Sequence, residues 1–569
     1  MAFQISPGVS VSEIDLTTVV PSVSTTAGAF VGDFQWGPAE KRTLITTESE
    51  LVTKFGEPAA NAIGGSANSA VAFFSAANFL AYGNNLQVVR AVNASTLNAA
   101  AGTGILIKNE DIYDGGTQGA SVNGSFAARY PGALGNSLKV AVCTPVTTGG
   151  FSTWTYKGNF SGAPSTTPTV AAYGGANDQI HIVVVDEDGL FTGVKDTVLE
   201  VFPFVSQAPD ATYDDSTPSY WKTVIRNTSK YIYALNNTAA FSANTDLTAN
   251  EHGGTVYTPA WGNTAYSFSS GVSANASSAN IQTGLDLFSN KDEVDISLIV
   301  TGDGFDKTTQ NYATNIAKSR GDCVAFVSPM SGDVVGKDAS TATTNVVTWA
   351  SGLNSSTYAF ADSGWKYQFD KYNNIYRWIP LNGDMAGLCV RTDETRDPWF
   401  SPAGYSRGAV KNVVKLAWNP NQAQRDTIYS AAVNPVISQP GQGTILFGDK
   451  TLTVQPSAFN RINVRRLFAV LEKSIATSAK YSLFELNDEF TRSQFIALVE
   501  PFLRDVKGRR GIYDYRIVCD KTNNTQQVID TNRFVGDIYI KPARSINFIQ
   551  LNFVAVRSGV QFSEIVGSV

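Results

Sequence analysis

The sequence predicts a multi-domain α+β protein in which two regularly patterned ends flank a long β-rich middle. The chain has 569 residues and a hydrophobic content of 43%, which is enough to bury several cores. Charged residues make up only 16% of the chain, a low fraction for a globular protein. Regular hydrophobic patterning runs to about residue 92 and resumes after about residue 345. A chain with so few charges is suited to burying surface against partners.

Short α/β elements are predicted in the first ninety residues. Residues 8–19, GVSVSEIDLTTV, alternate small polar and β-branched side chains, as an extended strand does. The stretch TTESELVTKFGEP predicts a helix capped by Thr47 or Ser49. The run VAFFSAANFLAYG predicts a second helix, and LQVVRAV at residues 86–92 predicts a buried strand.

The middle of the chain, from about residue 93 to about residue 344, changes in character. Stretches of Ala, Ser, Thr, Gly and Asn separate short apolar runs such as LKVAV, IHIVVV, VLEVF and VDISLIV. This composition is typical of a β domain with elaborate loops. Its position between two better patterned regions predicts one or two insertion domains.

Two amphipathic helices and two strands are predicted near the C-terminus. In the first helix, NVRRLFAVLEKSIATSAK, apolar residues recur on one face and charges are expected on the opposite face. The second, DEFTRSQFIALVEPFLRDV, contains Pro501, which is expected to kink it. The runs RFVGDIYIKP and SINFIQLNFVAVR then predict strands. The expected apolar side of the second helix comprises Phe490, Ile496, Val499 and Leu503.

Charge is spread unevenly along the chain, whose formal net charge is -6. Residues 461–569 hold 16 Lys and Arg against 11 Asp and Glu, a balance of +5, so the other 460 residues carry -11. Within the positive part, KGRR places Lys507, Arg509 and Arg510 next to one another. Such a cluster fits either nucleic acid or an acidic protein. Because no nucleic-acid-binding motif or aromatic platform accompanies it, direct nucleic-acid binding is disfavoured.

Catalytic, metal and cofactor sites are not predicted, although three motifs have to be weighed. Gly404, Ser406 and Gly408 in GYSRG have the spacing of a hydrolase nucleophile elbow. The histidine of that fold follows the serine, whereas His181 and His252 both precede it, so a loop is the favoured interpretation. The phosphate-loop-like GTILFGDKT has Asp where Lys is needed. VVVDEDGLF lacks the ligand spacing of a calcium loop and predicts an ordinary turn.

The four cysteines, which occur singly, predict reduced core thiols rather than zinc ligands or disulfides. The N-terminus MAFQISPGVSVSEID has no signal-peptide pattern, and no stretch of eighteen uninterrupted apolar residues occurs. We therefore expect a chain that is made in the cytosol and not inserted into a membrane.

Several long segments, taken together, resemble a known family. They include SPGVSVSEID, GAFVGDFQWGPAEKRTLITTESELVTKFGEP, YPGALGNSLKV, MAGLCVRTDETRDPWFSPAGYSRG, NPVISQPGQGTILFGDKTL, FNRINVRRLFAVLEKSI and NDEFTRSQFIALVEPFLRDVKGRRGIYDYRIVCDKTNN. In this order they resemble the tail sheath proteins of contractile-tailed bacteriophages, the T4-like myoviruses. The resemblance covers roughly residues 1–90 and 375–569, with a patch near 130–142.

This resemblance implies a structural protein rather than an enzyme. Family members form hexameric rings that stack into a helical sheath around the tail tube. Contraction drives the tube through the host envelope for genome ejection. The implied partners are further copies of the chain, the tail tube protein, and baseplate and tail terminator proteins, with no cofactor. The implied location is the virion tail, after assembly in the host cytoplasm; a sheath of a phage-derived contractile injection particle is the nearest alternative.

The resemblance also implies a domain plan and site residues. A conserved α/β core is built from both chain ends, with β-rich insertions in the middle. In the family, two terminal arms add strands to the sheets of neighbouring subunits. The segments of this chain that resemble these arms contain Val9, Val11, Ile14 and Leu16 at one end and Phe562 and Ile565 at the other. The tube-facing residues implied are Arg504, Lys507, Arg509 and Arg510.

The implied domains are an N-terminal arm joining the inner domain (1–20), the first core part (21–92), an outer insertion (93–200), a second insertion (201–344), the second core part (345–420) and an inner tube-facing domain with a C-terminal arm (421–569).

Overall fold

The protein was analysed as a computed structural model that describes residues 24–59, 69–119, 121–145, 150–235, 256–257, 264–303, 306–547 and 550. The chain divides into two compact units, residues 1–486 and residues 487–569. Both contain helices and strands, and the chain holds several separate sheets. The predicted α+β class is therefore confirmed.

A seven-stranded sheet forms the centre of the first unit. Its strand order is β16-β12-β11-β10-β1-β3-β2, and every neighbouring pair is parallel except β2 with β3. Strands β1 and β10 pair directly, so residues near 30 lie beside residues near 300. The strands are β1 (Gly28–Gly32), β2 (Thr43–Ile45), β3 (Leu86–Arg90), β10 (Leu298–Val300), β11 (Val324–Val327), β12 (Ala359–Asp362) and β16 (Val433–Asn434).

Helices cover both faces of this sheet, as a parallel sheet requires. Alternate residues of each strand enter opposite cores: Phe30 packs beneath α1, α2 and α11, whereas Val31 packs beneath α7 and α8. Near β12 the second face is covered by α10 and α12. These helices are α1 (Glu48–Phe55), α2 (Ser69–Leu80), α7 (Ser278–Asp286), α8 (Lys307–Arg320), α10 (Ala339–Ser351), α11 (Asn382–Thr395) and α12 (Gln422–Ser430).

The described chain between β3 and α7 forms a separate β-rich region with its own core. A four-stranded antiparallel sheet has the order β7-β6-β5-β9, and β4 pairs with β8 beside it. The elements are β4 (Phe126–Ala128), β5 (Leu138–Cys143), β6 (Gln179–Asp186), β7 (Thr197–Ser206), β8 (Ile232–Ala234), β9 (Thr264–Ser267), α3 (Glu110–Asp114), α4 (Gly150–Thr153), α5 (Pro168–Ala172) and α6 (Trp221–Thr228). Residues 298–327, in the range predicted as a second insertion, include two strands of the central sheet. The domain boundaries themselves stay predictions.

The rest of the first unit adds short sheets and one long helix. A three-stranded sheet has the order β14-β13-β15, and β17 pairs with β18. The elements are α9 (Ser331–Val334), β13 (Trp365–Asp370), β14 (Ile375–Pro380), β15 (Lys415–Leu416), β17 (Val436–Gln439), β18 (Gly443–Leu446) and α13 (Ile462–Ala479).

The second unit contains one long helix and a two-stranded antiparallel sheet. Its elements are α14 (Glu489–Gly508), β19 (Ile512–Val518), α15 (Gln526–Asp530) and β20 (Asp537–Pro542). In the described part of the chain, the helices are all too short or too polar to cross a membrane.

Several sequence predictions can be compared with these elements. The cap at Thr47 is confirmed, because its side chain accepts a hydrogen bond from the Glu50 amide at 3.2 Å. All four cysteines are buried and unpaired, as predicted.

The face predicted for the first C-terminal helix is partly wrong. Both Arg465 and Arg466 of α13 are buried rather than turned to solvent. Arg466 pairs with Asp393, and the Arg465 guanidinium lies 4.3 Å from the Tyr358 ring centroid. The charge of the two side chains predicts a solvent-facing position. A guanidinium is nevertheless tolerated in the core where it contacts a carboxylate or an aromatic ring.

The face predicted for the second C-terminal helix also needs a correction. Phe490 is exposed on α14, whereas Phe495 and Val506 lie on its buried side together with Val499 and Leu503. The helix continues past Val506 to Gly508, and Pro501 lies inside it.

A buried ion pair fixes the β13–β14 hairpin to the core. The Lys366 Nζ atom donates to Asp384 Oδ1 at 2.9 Å and to the Lys411 carbonyl at 2.9 Å. The Tyr82 hydroxyl donates to the same Asp384 oxygen at 3.1 Å. Burial raises the pKa of Asp384 and lowers the pKa of Lys366, while their mutual attraction opposes both shifts. The pair is therefore a point at which losing one partner leaves an uncompensated buried charge.

Replacing this lysine should destabilise the first unit strongly. We expect Lys366→Ala to lower the free energy of unfolding by about 3–5 kcal/mol, because Asp384 would remain buried without its cation. The control is Lys371→Ala in the same hairpin, whose pair with Glu48 is largely exposed and contributes less than about 1 kcal/mol. Denaturant titration followed by tryptophan fluorescence measures both. Equal effects of the two substitutions would contradict the assignment.

Candidate functional site

The serine of the GYSRG motif does not occupy a nucleophile elbow. Ser406 is exposed in a turn, and the next element along the chain is the short strand β15 instead of a helix. A catalytic serine needs a histidine base. His181 does not supply one, because its side chain is fully buried in the β-rich region. His252 lies outside the described residues.

His181 has a structural environment. Its Nδ1 atom accepts from the Phe204 amide at 3.0 Å, its Nε2 atom lies 2.9 Å from the Gly162 carbonyl, and the Phe160 ring stacks on it at 4.1 Å. Burial lowers the pKa of His181. Because both nitrogens already have partners, the ring serves as a core side chain.

The acidic motif DEDG forms a turn, as predicted. The buried carboxylate of Asp186 accepts from the Ser137 hydroxyl at 2.6 Å and from the Phe191 and Thr192 amides. Glu187 pairs with Lys139 at 3.2 Å. Across the described ranges, no group of three His, Cys, Asp or Glu side chains is arranged to hold a metal ion.

The carboxyl edge of the central sheet is filled by the protein itself. Open α/β sheets bind ligands at this edge, but here the N-terminus of α11 occupies it. The Asn382 side chain donates to the Gly302 carbonyl and to Ser328 Oγ, and Ser328 donates to Asp362 at 2.6 Å. Burial raises the pKa of Asp362 to about 8. Internal hydrogen bonds therefore occupy this edge of the sheet beyond β10, β11 and β12.

The candidate site is the C-terminal unit, which carries the predicted basic cluster. Helix α14 begins at the cap residue Asp488, whose side chain accepts from the Thr491 amide at 2.8 Å. It ends in a Schellman motif: the Gly511 amide donates to the Val506 carbonyl at 2.9 Å and the Arg510 amide donates to the Lys507 carbonyl at 3.1 Å. The left-handed position of this motif, with φ = 67°, is occupied by Arg510 instead of the usual glycine.

Most cations of the cluster already have an acidic neighbour. Arg504 pairs with Glu500 at 2.9 Å and Lys507 pairs with Asp514 at 3.0 Å. Arg509 lies 3.5 Å from Asp505. These pairs are exposed, so each contributes little stability. The surface is consequently a strip of alternating charges with a small positive excess, rather than the concentrated basic patch that the sequence suggests.

The sheet of this unit has two strands among the described residues, fewer than an independently stable sheet usually needs. Strands β19 and β20 pair over Ile512–Val518 and Asp537–Pro542, and among the described residues no third strand joins them. Tyr513 and Tyr539 are more than half exposed on it. Isolated two-stranded sheets are marginally stable, and open edges present unpaired amides and carbonyls. The outer edges are therefore able to accept additional strands.

The predicted arm residues cannot be placed. Val9, Val11, Ile14 and Leu16, and at the other end Phe562 and Ile565, lie outside the described residues. Sequence reasoning located the cluster from charge alone and missed its acidic partners. The spacing of Glu500 and Asp505 four residues before Arg504 and Arg509 is the signal that could have revealed two of them.

Comparison with protein families gives two matches that together span the C-terminal half. Residues 274–452 match the central domain of the phage tail sheath protein, and residues 454–555 match the phage tail sheath C-terminal domain.

Comparison with individual proteins extends the similarity to the whole chain. The tail sheath protein of Vibrio phage KVP40 is 34% identical over 99% of this chain and 100% of its own length. The tail sheath protein of Enterobacteria phage T4 is 34% identical over 99% of each chain. The solved sheath tail protein of Listeria innocua has the same fold, with a TM-score of 0.53 at 9% identity over 92% of this chain and 96% of that one. The relatives therefore also span the middle, where the sequence segments alone indicated no resemblance.

The strained residue at the end of α14 gives a test of this geometry. We expect Arg510→Gly to raise the free energy of unfolding by about 0.5–1 kcal/mol, because glycine tolerates the left-handed conformation that costs an L-residue energy. The control is Arg509→Gly, which removes the same charge at φ = -85° and should destabilise. Thermal unfolding of the two variants measures the difference, and a stabilised Arg509→Gly together with a destabilised Arg510→Gly would refute the Schellman assignment.

Proposed function

The chain belongs to the phage tail sheath proteins, and from this premise we propose that it is the structural subunit of a contractile sheath. Copies form hexameric rings that stack into a helical sleeve around the tail tube. Contraction of the sleeve then drives the tube through the host envelope so that the genome can pass. The chain acts as a virion component that assembles in the host cytoplasm together with baseplate and tail terminator proteins.

The observation that carries this proposal is the open sheet of the C-terminal unit. A two-stranded sheet with free outer edges gains stability when further strands are added. The segments that resemble the family's arms have the alternating pattern of such strands: Val9 to Leu16 at one end and Phe562 to Val566 at the other. We propose that these arms of neighbouring copies extend the β19–β20 sheet.

Main-chain pairing of this kind suits a lattice that changes shape. Ladder hydrogen bonds depend on backbone groups and hold two chains together while the attached domains rotate as rigid bodies. The long covalent arms keep neighbours connected when other contacts are exchanged. The sheath can therefore contract without its subunits separating.

The surface that faces the tube is proposed to be the end of α14. Arg504, Lys507, Arg509 and Arg510 lie on one short stretch, and Arg510 makes no ion pair with any carboxylate of the described residues. Exposed pairs are weak and screened by salt. An interface built from them binds an acidic tube surface by many small contributions and is released readily during contraction.

Stored conformational energy, rather than a catalysed reaction, is proposed to drive contraction. In support of this, hydrogen bonds among Asn382, Ser328 and Asp362 occupy the edge of the central sheet at which open α/β sheets bind ligands. We expect no enzymatic activity and no cofactor. Negative-stain microscopy of the purified chain should reveal striated tubes or sheath-like polymers. Globular monomers under all assembly conditions would contradict the proposal.

Blocking the N-terminal ladder should abolish polymerisation without unfolding the chain. We expect Val9→Pro with Val11→Pro to stop polymer formation, because proline lacks the amide hydrogen that a strand donates. The control is Val9→Ala with Val11→Ala, which keeps the backbone donors and should still form polymers. Sedimentation and microscopy measure both variants. If the proline variant polymerised as well as the alanine variant, arm exchange through this segment would be wrong.

Reversing the charge of the cluster should weaken binding to tubes. We expect Lys507→Glu, Arg509→Glu and Arg510→Glu combined to reduce co-sedimentation with preformed tubes about tenfold or more, since several weak attractions become repulsions. The control is Lys521→Glu in the same unit, whose side chain is 81% exposed. Circular dichroism checks that the fold is retained. Unchanged co-sedimentation of the triple variant would exclude the cluster as the tube contact.

A further inference from the structure

In the β13–β14 hairpin, strand β13 buries its polar residues and leaves Phe369 exposed. Its inner face carries Lys366, Gln368 and Asp370, all buried. Each has a polar partner: Lys366 bonds to Asp384, Gln368 accepts from Asn78 at 2.9 Å, and Asp370 binds Arg377 at 2.7 Å. A strand at a protein surface usually points its apolar residues inward and its polar residues to solvent. In β13 the polar residues are the buried ones, whereas β14 places the apolar Ile379 on the same inner face.

The outer face of the same hairpin is aromatic. Strand register places Tyr367 opposite Trp378 and Phe369 opposite Tyr376 on this face. The ring centroid of Tyr367 lies 4.7 Å from that of Trp378 and 5.4 Å from that of Tyr376. The ring centroids of Phe369 and Tyr376 are 5.2 Å apart. We call these four residues the aromatic strip. At its outer end, Phe369 is 45% exposed and Tyr376 is 50% exposed.

A cation flanks the aromatic strip. Lys415 on the neighbouring strand β15 pairs in register with Tyr367. Its Nζ atom lies 5.0 Å from the Tyr367 centroid and 5.6 Å from the Trp378 centroid. In the described part of the chain, Lys415 forms no ion pair with a carboxylate. A cation held above aromatic rings without an acidic partner favours an approaching surface of negative charge.

The exposed aromatic end of the hairpin and the flanking cation point to a protein partner. Phe369 and Tyr376 are the exposed members of the strip, whereas Trp378 packs against the core that contains Trp365. Aromatic side chains are enriched at the centres of protein interfaces. Contact with a partner would remove apolar ring surface from the water that surrounds it in the isolated chain. Residues 1–460 carry a formal net charge of -11, so this part of another copy has the sign that complements Lys415.

We propose that the aromatic strip is an interface with a second copy of this chain, the strip packing against an acidic surface of its neighbour. This inference rests on the proposed polymer and adds a contact of the central unit to those of the arms. The chain that ends at Ala59 lies on the opposite face of the hairpin, where Arg377 donates to the Ala59 carbonyl at 2.6 Å.

Site-specific cross-linking identifies the occupant. A photo-reactive phenylalanine placed at Tyr376 of the full chain is irradiated in polymers and in dilute monomers. The matched control position is Tyr173, which is 62% exposed in the β-rich region. We expect covalent dimers from position 376 in polymers only, well above the yield from position 173.

Three results would overturn the inference. These are cross-links that map within one chain, for example to residues 60–68, cross-links only to another virion protein in assembled tails, and dimer yields equal to those from position 173. If the unmodified chain formed no polymer, the proposed function would fail as well, whereas polymers without the cross-link contradict this interface alone.

Substitution gives an independent readout. Phe369→Ser with Tyr376→Ser should raise the protein concentration needed for polymerisation about tenfold, the effect of losing a modest interface anchor. The melting temperature should change little, because both side chains are about half exposed. Tyr173→Ser is the matched control and should leave polymerisation unchanged. An unaltered threshold in the double variant would contradict the interface.

Discussion

The parallel pairing of β1 with β10 is the constraint on which the first unit depends. It places Gly28 beside Leu298, so the intervening chain has to leave the sheet after β3 and return before β10. That excursion contains the β-rich region with its own antiparallel sheet. Since a parallel sheet must be covered on both faces, the helices on either side of it follow from the same pairing. The central fold is therefore closed by contacts between distant parts of the sequence.

The C-terminal unit differs from the first unit, because its two-stranded sheet has open edges among the described residues. Burial within a single chain completes the central sheet, whereas β19 and β20 have free outer edges among the described residues. A subunit whose central sheet is covered and whose C-terminal sheet is open is suited to a polymer. The mixed charges at the end of α14 and the aromatic strip on the β13–β14 hairpin add two chemically different surfaces. One is weak and screened by salt, and the other is apolar and geometrically defined.

Local features were predictable from the sequence because local rules govern them. The helix capped by Thr47 and the long strand β6 follow from capping and from a continuous apolar run. Features that depend on distant partners were not predictable in this way. Arg466 was expected on a solvent face, but Asp393, far away in the sequence, receives it in the core. Phe490 was expected to be buried, but Phe495 lies on the packed face instead.

The candidate site was predictable in part. Lys507, Arg509 and Arg510 were identified from charge, whereas the pairing of Lys507 with Asp514 requires the turn between α14 and β19. The polar inner face of β13 escaped prediction entirely, since WKYQFD alternates polar and aromatic residues without revealing which side is covered. Periodicity fixes which residues share a face, and tertiary packing decides which face is inside.

Helical reconstruction of the assembled polymer by electron cryo-microscopy tests the central claim most directly. We predict that the β19–β20 sheet gains strands supplied by residues 1–23 and by residues 551–569 of other copies. A sheet that remains two-stranded in the polymer, or terminal segments that fold back onto their own chain, would contradict it.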